Sequence, residues 1–200
     1  QHITTARGLD MVRAAKAEGL PVTCEVTPHH LFLSEDDITD EYNTCLKVNP
    51  PLRTKEDAAA LLEGVMDGSV DAIVTDHAPH TDFEKDREFE LAPFGMIGLE
   101  TSLALMITNM VSQDKLSWEQ LVELMSVNPR TILGVEKVSI APGNTADLTV
   151  IDPSEAWTVT REGMVSKSGN SGFLGAELTG RATDVYVGGY ATLEDGMIVE

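Results

Sequence analysis

The 200-residue sequence predicts an α/β fold: the C-terminal part of a (β/α)8 barrel over residues 1–137, followed by a small β-rich annex over residues 138–200. Three observations carry this prediction. Segments of helical and strand periodicity alternate through the first part, as in parallel βαβ units with right-handed crossovers. The residues able to do chemistry gather directly after the expected strands, where such barrels carry their functional groups. Past residue 138 the pattern turns to short strands and glycine-rich turns.

Taken in order, residues 4–18 read as a helix, capped by Thr4 or Thr5, with Leu9, Val12 and Ala15 on one side and Gly19 ending it. Val22-Thr23-Cys24-Glu25-Val26-Thr27 alternates and is rich in β-branched residues, which makes it a strand. A loop follows as far as Pro50-Pro51. Thr54 opens a second helix, with the acidic Asp57 three positions on in the manner of a capping box. Its Leu61, Leu62, Val65 and Met66 recur at helical spacing, and Gly68 closes it. Residues 70–75 form the next strand and 76–95 a long loop. Helices follow at 98–112, 117–126 and 129–134, the last with Asn128 as cap and Pro129 in its first turn. In the annex, 146–151, 157–160 and 184–187 read as strands, with a hairpin turn at Gly188-Gly189.

Composition removes several function classes. Hydrophobic residues make up 42%, enough to build a core. Fourteen basic against 33 acidic side chains leave a formal charge of −19, a surface that repels phosphate backbones, so no nucleic-acid partner is expected. No apolar run approaches the roughly 18–20 residues needed to span a bilayer, so no membrane role is expected. Cys24 and Cys45 stand at no motif spacing, which suits a reducing, cytoplasmic setting. The chain opens on Gln1 and reaches His2 at once, which reads as a piece of a longer protein.

Four of the five histidines lie in two short loops. Asp76, His77 and His80 share Thr75-Asp76-His77-Ala78-Pro79-His80, at the mouth of an expected barrel strand. An aspartate there can bind a metal through one oxygen and exchange protons through the other, or it can simply bond loop amides. His2, between a strand end and a helix, suits a neutral imidazole ligand, although a lone histidine is more often structural. His29 and His30 are adjacent and in extended backbone would point opposite ways, so they cannot easily share one metal and read as loop-shaping or hydrogen-bonding residues. Asn49, stiffened by Pro50 and Pro51, could bind a carboxylate or ring carbonyl, or could be an ordinary turn residue. At Phe94-Gly95 the missing side chain lets backbone approach a small molecule closely, though glycine also merely makes turns. No nucleophile elbow, phosphate loop or dinucleotide fingerprint occurs.

Together these segments resemble the dihydroorotases of the cyclic amidohydrolase group, of the long-chain type related to hydantoinases. The resemblance runs through Gln1-His2-Ile3-Thr4-Thr5, Val22 to Leu31, Val48-Asn49-Pro50-Pro51-Leu52-Arg53, the Asp76 loop, Ala92-Pro93-Phe94-Gly95, Asn128-Pro129-Arg130 and Ala146 to Asp152. It implies a zinc-dependent enzyme that reversibly cyclises N-carbamoyl-aspartate to dihydroorotate in pyrimidine synthesis. His2 would be a zinc ligand, and Asp76 both a ligand and the general base and acid. Asn49 and His80 would hold the substrate carboxylate and ring, and the Phe94-Gly95 backbone would contact the ring. The family pattern places its remaining metal ligands upstream, so this segment by itself is expected to be inactive. A homo-oligomer, alone or joined to other pyrimidine-pathway enzymes, is the expected assembly. Two rivals stand beside this reading: another cyclic amidase (a hydantoinase, dihydropyrimidinase or allantoinase), and a non-catalytic homologue serving as a scaffold partner.

Overall fold

Helix α1 (Ala6–Ala17) starts at Thr5, whose extended backbone lets its hydroxyl accept the Gly8 N–H at 3.0 Å. The computed structural model describes residues 1–136 and 138–199. Strands β1 (Glu25–Val26) and β2 (Ala72–Ile73) pair in parallel, Glu25 opposite Ala72 and Val26 opposite Ile73. Both are shorter than their alternating sequences predict. The bonding nevertheless runs one residue further at each end, through Asp71 N–H to Cys24 O and Val74 N–H to Val26 O. The intervening carbonyl, Glu25 O, accepts from Ile3 N–H, so the segment before α1 lies along the opposite edge of β1.

Thr27 and Pro28 open α2 (Pro28–Phe32), a helical turn where the sequence suggests loop. Proline at the first helical position has no N–H to leave unpaired, and the Thr27 hydroxyl accepts the His30 N–H. Single 3₁₀ turns at Glu35–Asp37 and Thr44–Leu46 shape the loop beyond. Helix α3 (Lys55–Met66) is capped by Thr54, but Asp57 does not complete a capping box. Its carboxylate instead accepts the Ala6 N–H at the start of α1, at 2.8 Å. Helix α4 (Asp82–Lys85), closed by a Thr81–Glu84 capping box, interrupts the expected 76–95 loop.

Helix α5 (Leu99–Met106) continues as a π-helical stretch, Ile107–Val111. After a turn, Ser117 caps α6 (Trp118–Val122), which runs through a second π stretch, Glu123–Val127, into α7 (Asn128–Leu133) without a break. Asn128 is therefore not a cap. Its backbone is helical (φ −64°, ψ −46°), and its amide donates to Asp71 O at 3.0 Å, fastening this helix to the start of β2. Gly134, left-handed at φ 65°, ends α7.

The annex is one antiparallel sheet in the order β3 (Leu148–Thr158), β4 (Glu177–Val187), β5 (Tyr190–Glu194), β6 (Met197–Ile198). Gly188-Gly189 turns β4 into β5, as expected. The strand expected over 157–160 is not separate: Trp157 and Thr158 end β3, beyond a register shift between Asp152 and Ala156. The boundary expected at 137 falls on Lys137, outside the described residues.

Two apolar clusters hold the architecture. Leu9, Val26, Leu61, Ile73, Met106 and Leu121 join α1, α3 and the later helices around the parallel strands. Leu46, Val48, Met96, Val159, Phe173 and Leu178 join the loops after β1 and β2 to the annex. Among the described residues no helix is long and apolar enough to cross a membrane.

Candidate active site

The C-terminal ends of the parallel strands carry two groups of side chains. In the first, His2 Nε2 stands 3.6 Å from Asp76 Oδ1, although the residues are far apart in sequence. His2 Nδ1 lies 3.1 Å from Glu25 Oε1, within ion-pair range though without hydrogen-bond geometry. Glu25 thus places a negative charge behind the His2 ring, while Nε2 faces Asp76. His2 and Asp76 both take left-handed backbone, at φ 50° and 45°. For non-glycine residues this costs on the order of 1–3 kcal/mol and clusters at functional sites. Partial burial pushes the Asp76 carboxyl above its usual range; His2 opposes the shift and Glu25 adds to it.

His29 is the group that sequence reasoning set aside. In α2 it is not extended: its ring lies 4.4 Å from that of His30, and its side chain is 2% exposed. Its Nε2 points toward Asp76 Oδ2 at 4.0 Å and has no hydrogen-bond partner. Burial, then His30 and His2, push this imidazole down to about 2, so it is neutral at ordinary pH. Thr27-Pro28 was the available signal, since a capping threonine before proline opens a helical turn. His30 is structural, with Nδ1 at 2.7 Å from the Thr27 hydroxyl and Nε2 donating to Pro50 O at 2.8 Å. Glu25 was missed as well; a charged residue inside an otherwise buried strand was its signal.

The second group is a set of loops. Gly95 N–H donates to Lys47 O at 2.8 Å, and Ala78 N–H to Met96 O at 2.9 Å. His80 Nε2 donates to Phe94 O at 2.9 Å, while its Nδ1 stands 3.7 Å from Glu84. His80, Phe94 and Gly95 are thus brought together. Phe94 is 54% exposed and carries the Lys47 ammonium 4.7 Å above its ring. Gly95 takes φ 124°, and a Cβ there would lie 2.5 Å from the Ala78 side chain, so only glycine lets the two loops meet. Asn49 sits exposed two residues after Lys47, before a cis peptide to Pro50. His77 joins neither group: its Nδ1 accepts the Gly98 and Leu99 N–H groups at 3.1 and 3.3 Å, closing the start of α5.

Two ligands of a tetrahedral zinc, each about 2.0–2.1 Å from the ion, stand about 3.4 Å apart. The His2–Asp76 separation of 3.6 Å fits two ligands of one such ion. Among the described residues no third histidine, cysteine, aspartate or glutamate completes a metal cluster. The residues present therefore fit part of a zinc site.

A family model described as the amidohydrolase family matches residues 2–191, and the chain belongs to that family. Its fold is that of the C-terminal part of the amidohydrolase (β/α)8 barrel with a separate antiparallel sheet. Within the family it is similar to proteins named dihydroorotase. It is 48% identical to that of Chlorobaculum tepidum over 188 residues, which are 92% of this chain and 42% of that protein. It is 50% identical to that of Carboxydothermus hydrogenoformans over 180 residues, 90% of this chain and 42% of that protein. Among solved structures it superposes on the L-hydantoinase (dihydropyrimidinase) of Arthrobacter aurescens with a TM-score of 0.92 at 31% identity, covering 100% of this chain and 45% of that one. The chain spans less than half the length of these relatives.

Proposed function

We propose that this chain carries the proton-transferring and substrate-orienting part of a dihydroorotase, which interconverts dihydroorotate and N-carbamoyl-aspartate. The observation that carries the reading is the approach of His2 and Asp76 on one strand-end rim, beside a loop set that assembles His80, Phe94 and Gly95. The likeness to dihydroorotases supports the substrate.

His2 and Asp76 would hold zinc together with ligands from outside this chain, and the ion when bound supplies Lewis acidity beside the scissile amide. Asp76 takes the proton of the water that attacks the ring carbonyl carbon. The C–N bond then breaks, and the same carboxyl delivers that proton to the departing ring nitrogen. In the synthetic direction the carbamoyl nitrogen attacks the carbon of the protonated carboxyl group while Asp76 takes the proton of that nitrogen; the C–OH bond then breaks, and Asp76 gives the proton to the departing hydroxyl, which leaves as water. Asn49, His80 and the Phe94-Gly95 backbone fix the substrate carboxylate and ring, which is a positioning effect. His29, neutral and buried, turns an uncharged ring nitrogen toward Asp76 Oδ2. Residues 1–137 act as the barrel part and 138–200 as the annex of a cytoplasmic enzyme that assembles as a homo-oligomer. The two free thiols are compatible with a reducing compartment.

Asp76→Asn in the intact protein should lower turnover by about 10²–10⁴-fold with an unchanged circular-dichroism spectrum. Near-normal turnover of that variant would refute the role. Turnover of hydantoin or allantoin in preference to dihydroorotate would move the substrate to another cyclic amide.

A further inference from the structure

The loop between β3 and β4 returns from the annex to the barrel rim and buries Asn170 there, 3% exposed. The Asn170 side chain makes three bonds to the loops of the candidate site. Its Oδ1 accepts the His80 N–H at 3.1 Å, and its Nδ2 donates to Ala78 O at 3.0 Å and Gly95 O at 3.2 Å. Its own carbonyl accepts the Ile97 N–H at 3.1 Å. One amide therefore spans both loops whose tips meet at the His80–Phe94 bond.

From this bridging geometry we infer that Asn170 is a positioning residue for the ligand-binding rim: the annex, through this one side chain, sets the spacing between His80 and the Phe94-Gly95 backbone. The inference rests on the reading of those residues as substrate contacts. A planar amide alone offers two donors and an acceptor in the arrangement that the two carbonyls and the amide N–H require. The rest of the loop is fastened elsewhere. Arg161 grips Asp82 with two bonds of 2.8 Å, and the Glu100 carboxylate accepts the Val165 and Ser166 N–H groups. Phe173 enters the core cluster beside Met96. Loss of the Asn170 amide therefore leaves the loop docked and frees the two tips relative to each other. A contact made equally to bound substrate and transition state changes KM and leaves kcat nearly alone.

The test compares Asn170→Ala, Asn170→Asp and Arg161→Ala in the intact protein, with dihydroorotate as substrate and a melting curve for each. Asn170→Asp keeps the volume and the acceptor toward His80 but removes both donors. The expected result is KM raised about tenfold or more in both Asn170 variants, the change that losing roughly 1.4 kcal/mol of binding produces. Their kcat should stay within about threefold, and Arg161→Ala should keep the wild-type KM. A KM within about twofold of wild type in Asn170→Ala overturns the inference, as does an equal rise in Arg161→Ala. If the wild-type protein turns over no dihydroorotate, the proposed activity fails on that result alone. Hydrogen exchange then decides the inference: the His80 amide should exchange at least about tenfold faster in Asn170→Ala than in wild type, and equal rates overturn it.

Discussion

Acidification from pH 7 to pH 5 should weaken the native state through two buried imidazoles, His29 and His30, and the share of His30 can be isolated. His30 lies at the turn of α2 with both ring nitrogens engaged, by the Thr27 hydroxyl and by Pro50 O. Burial lowers its proton affinity most. The Pro50 carbonyl opposes this, His2 and Arg53 add to it, and the result is about 4. In the unfolded chain the same ring titrates near 6.5. The folded value is the lower of the two, so the stabilisation is fully present above about pH 6.5 and is lost as pH falls toward 4, where the unfolded chain binds a proton that the native state excludes. At pH 5 His30 alone favours the unfolded state by about 2 kcal/mol relative to pH 7, and below about pH 4 this group adds no further loss. The assay is urea unfolding of wild type and His30→Gln at pH 7 and pH 5, with linear extrapolation to water. Glutamine can still donate to Pro50 O but does not titrate. It should be somewhat less stable at pH 7 and lose about 2 kcal/mol less than wild type between the two pH values. An equal loss in both proteins would refute the reasoning, because the titrating group would then lie elsewhere.

Two further perturbations probe the frame that carries the site. Leu9→Ala should destabilise by about 2–5 kcal/mol in the same unfolding assay, since Leu9 is fully buried where α1 meets α3. Gly98→Ala should cost about 1–3 kcal/mol and weaken the binding of dihydroorotate measured by calorimetry. A Cβ there would meet Thr75 O at 2.6 Å and push the start of α5 away from the residue just before Asp76.

The parts of this molecule legible in its sequence are those fixed by local chemistry. Thr5 and Thr54 open helices, and Gly19 and Gly68 follow helix ends, because capping and left-handed turns depend on a few neighbouring atoms. Gly188-Gly189 reports its hairpin for the same reason. Asn128 misled because a capping residue type was recruited to a distant carbonyl, Asp71 O, while the helix continued past it. His29 misled because its meaning lies in Asp76, on another strand, and not in its neighbour in sequence. Asn170 carried no signal in a glycine- and serine-rich stretch, since its partners lie 75 to 92 positions away. The approach of His2 to Asp76 was anticipated through family likeness, which carries long-range information that spacing alone lacks.

The Asp57 carboxylate that accepts the Ala6 N–H, 51 positions earlier, has a consequence for the order of assembly. Thr5 caps the Gly8 N–H of α1 locally, while the Ala6 N–H of the same turn is met by a group that arrives only when α3 docks. The two helix beginnings should acquire protection in a single cooperative step and be lost together. The segment that bears His2 is thereby held from two sides, by β1 through the Ile3 N–H and by the start of α3 through the Ala6 N–H.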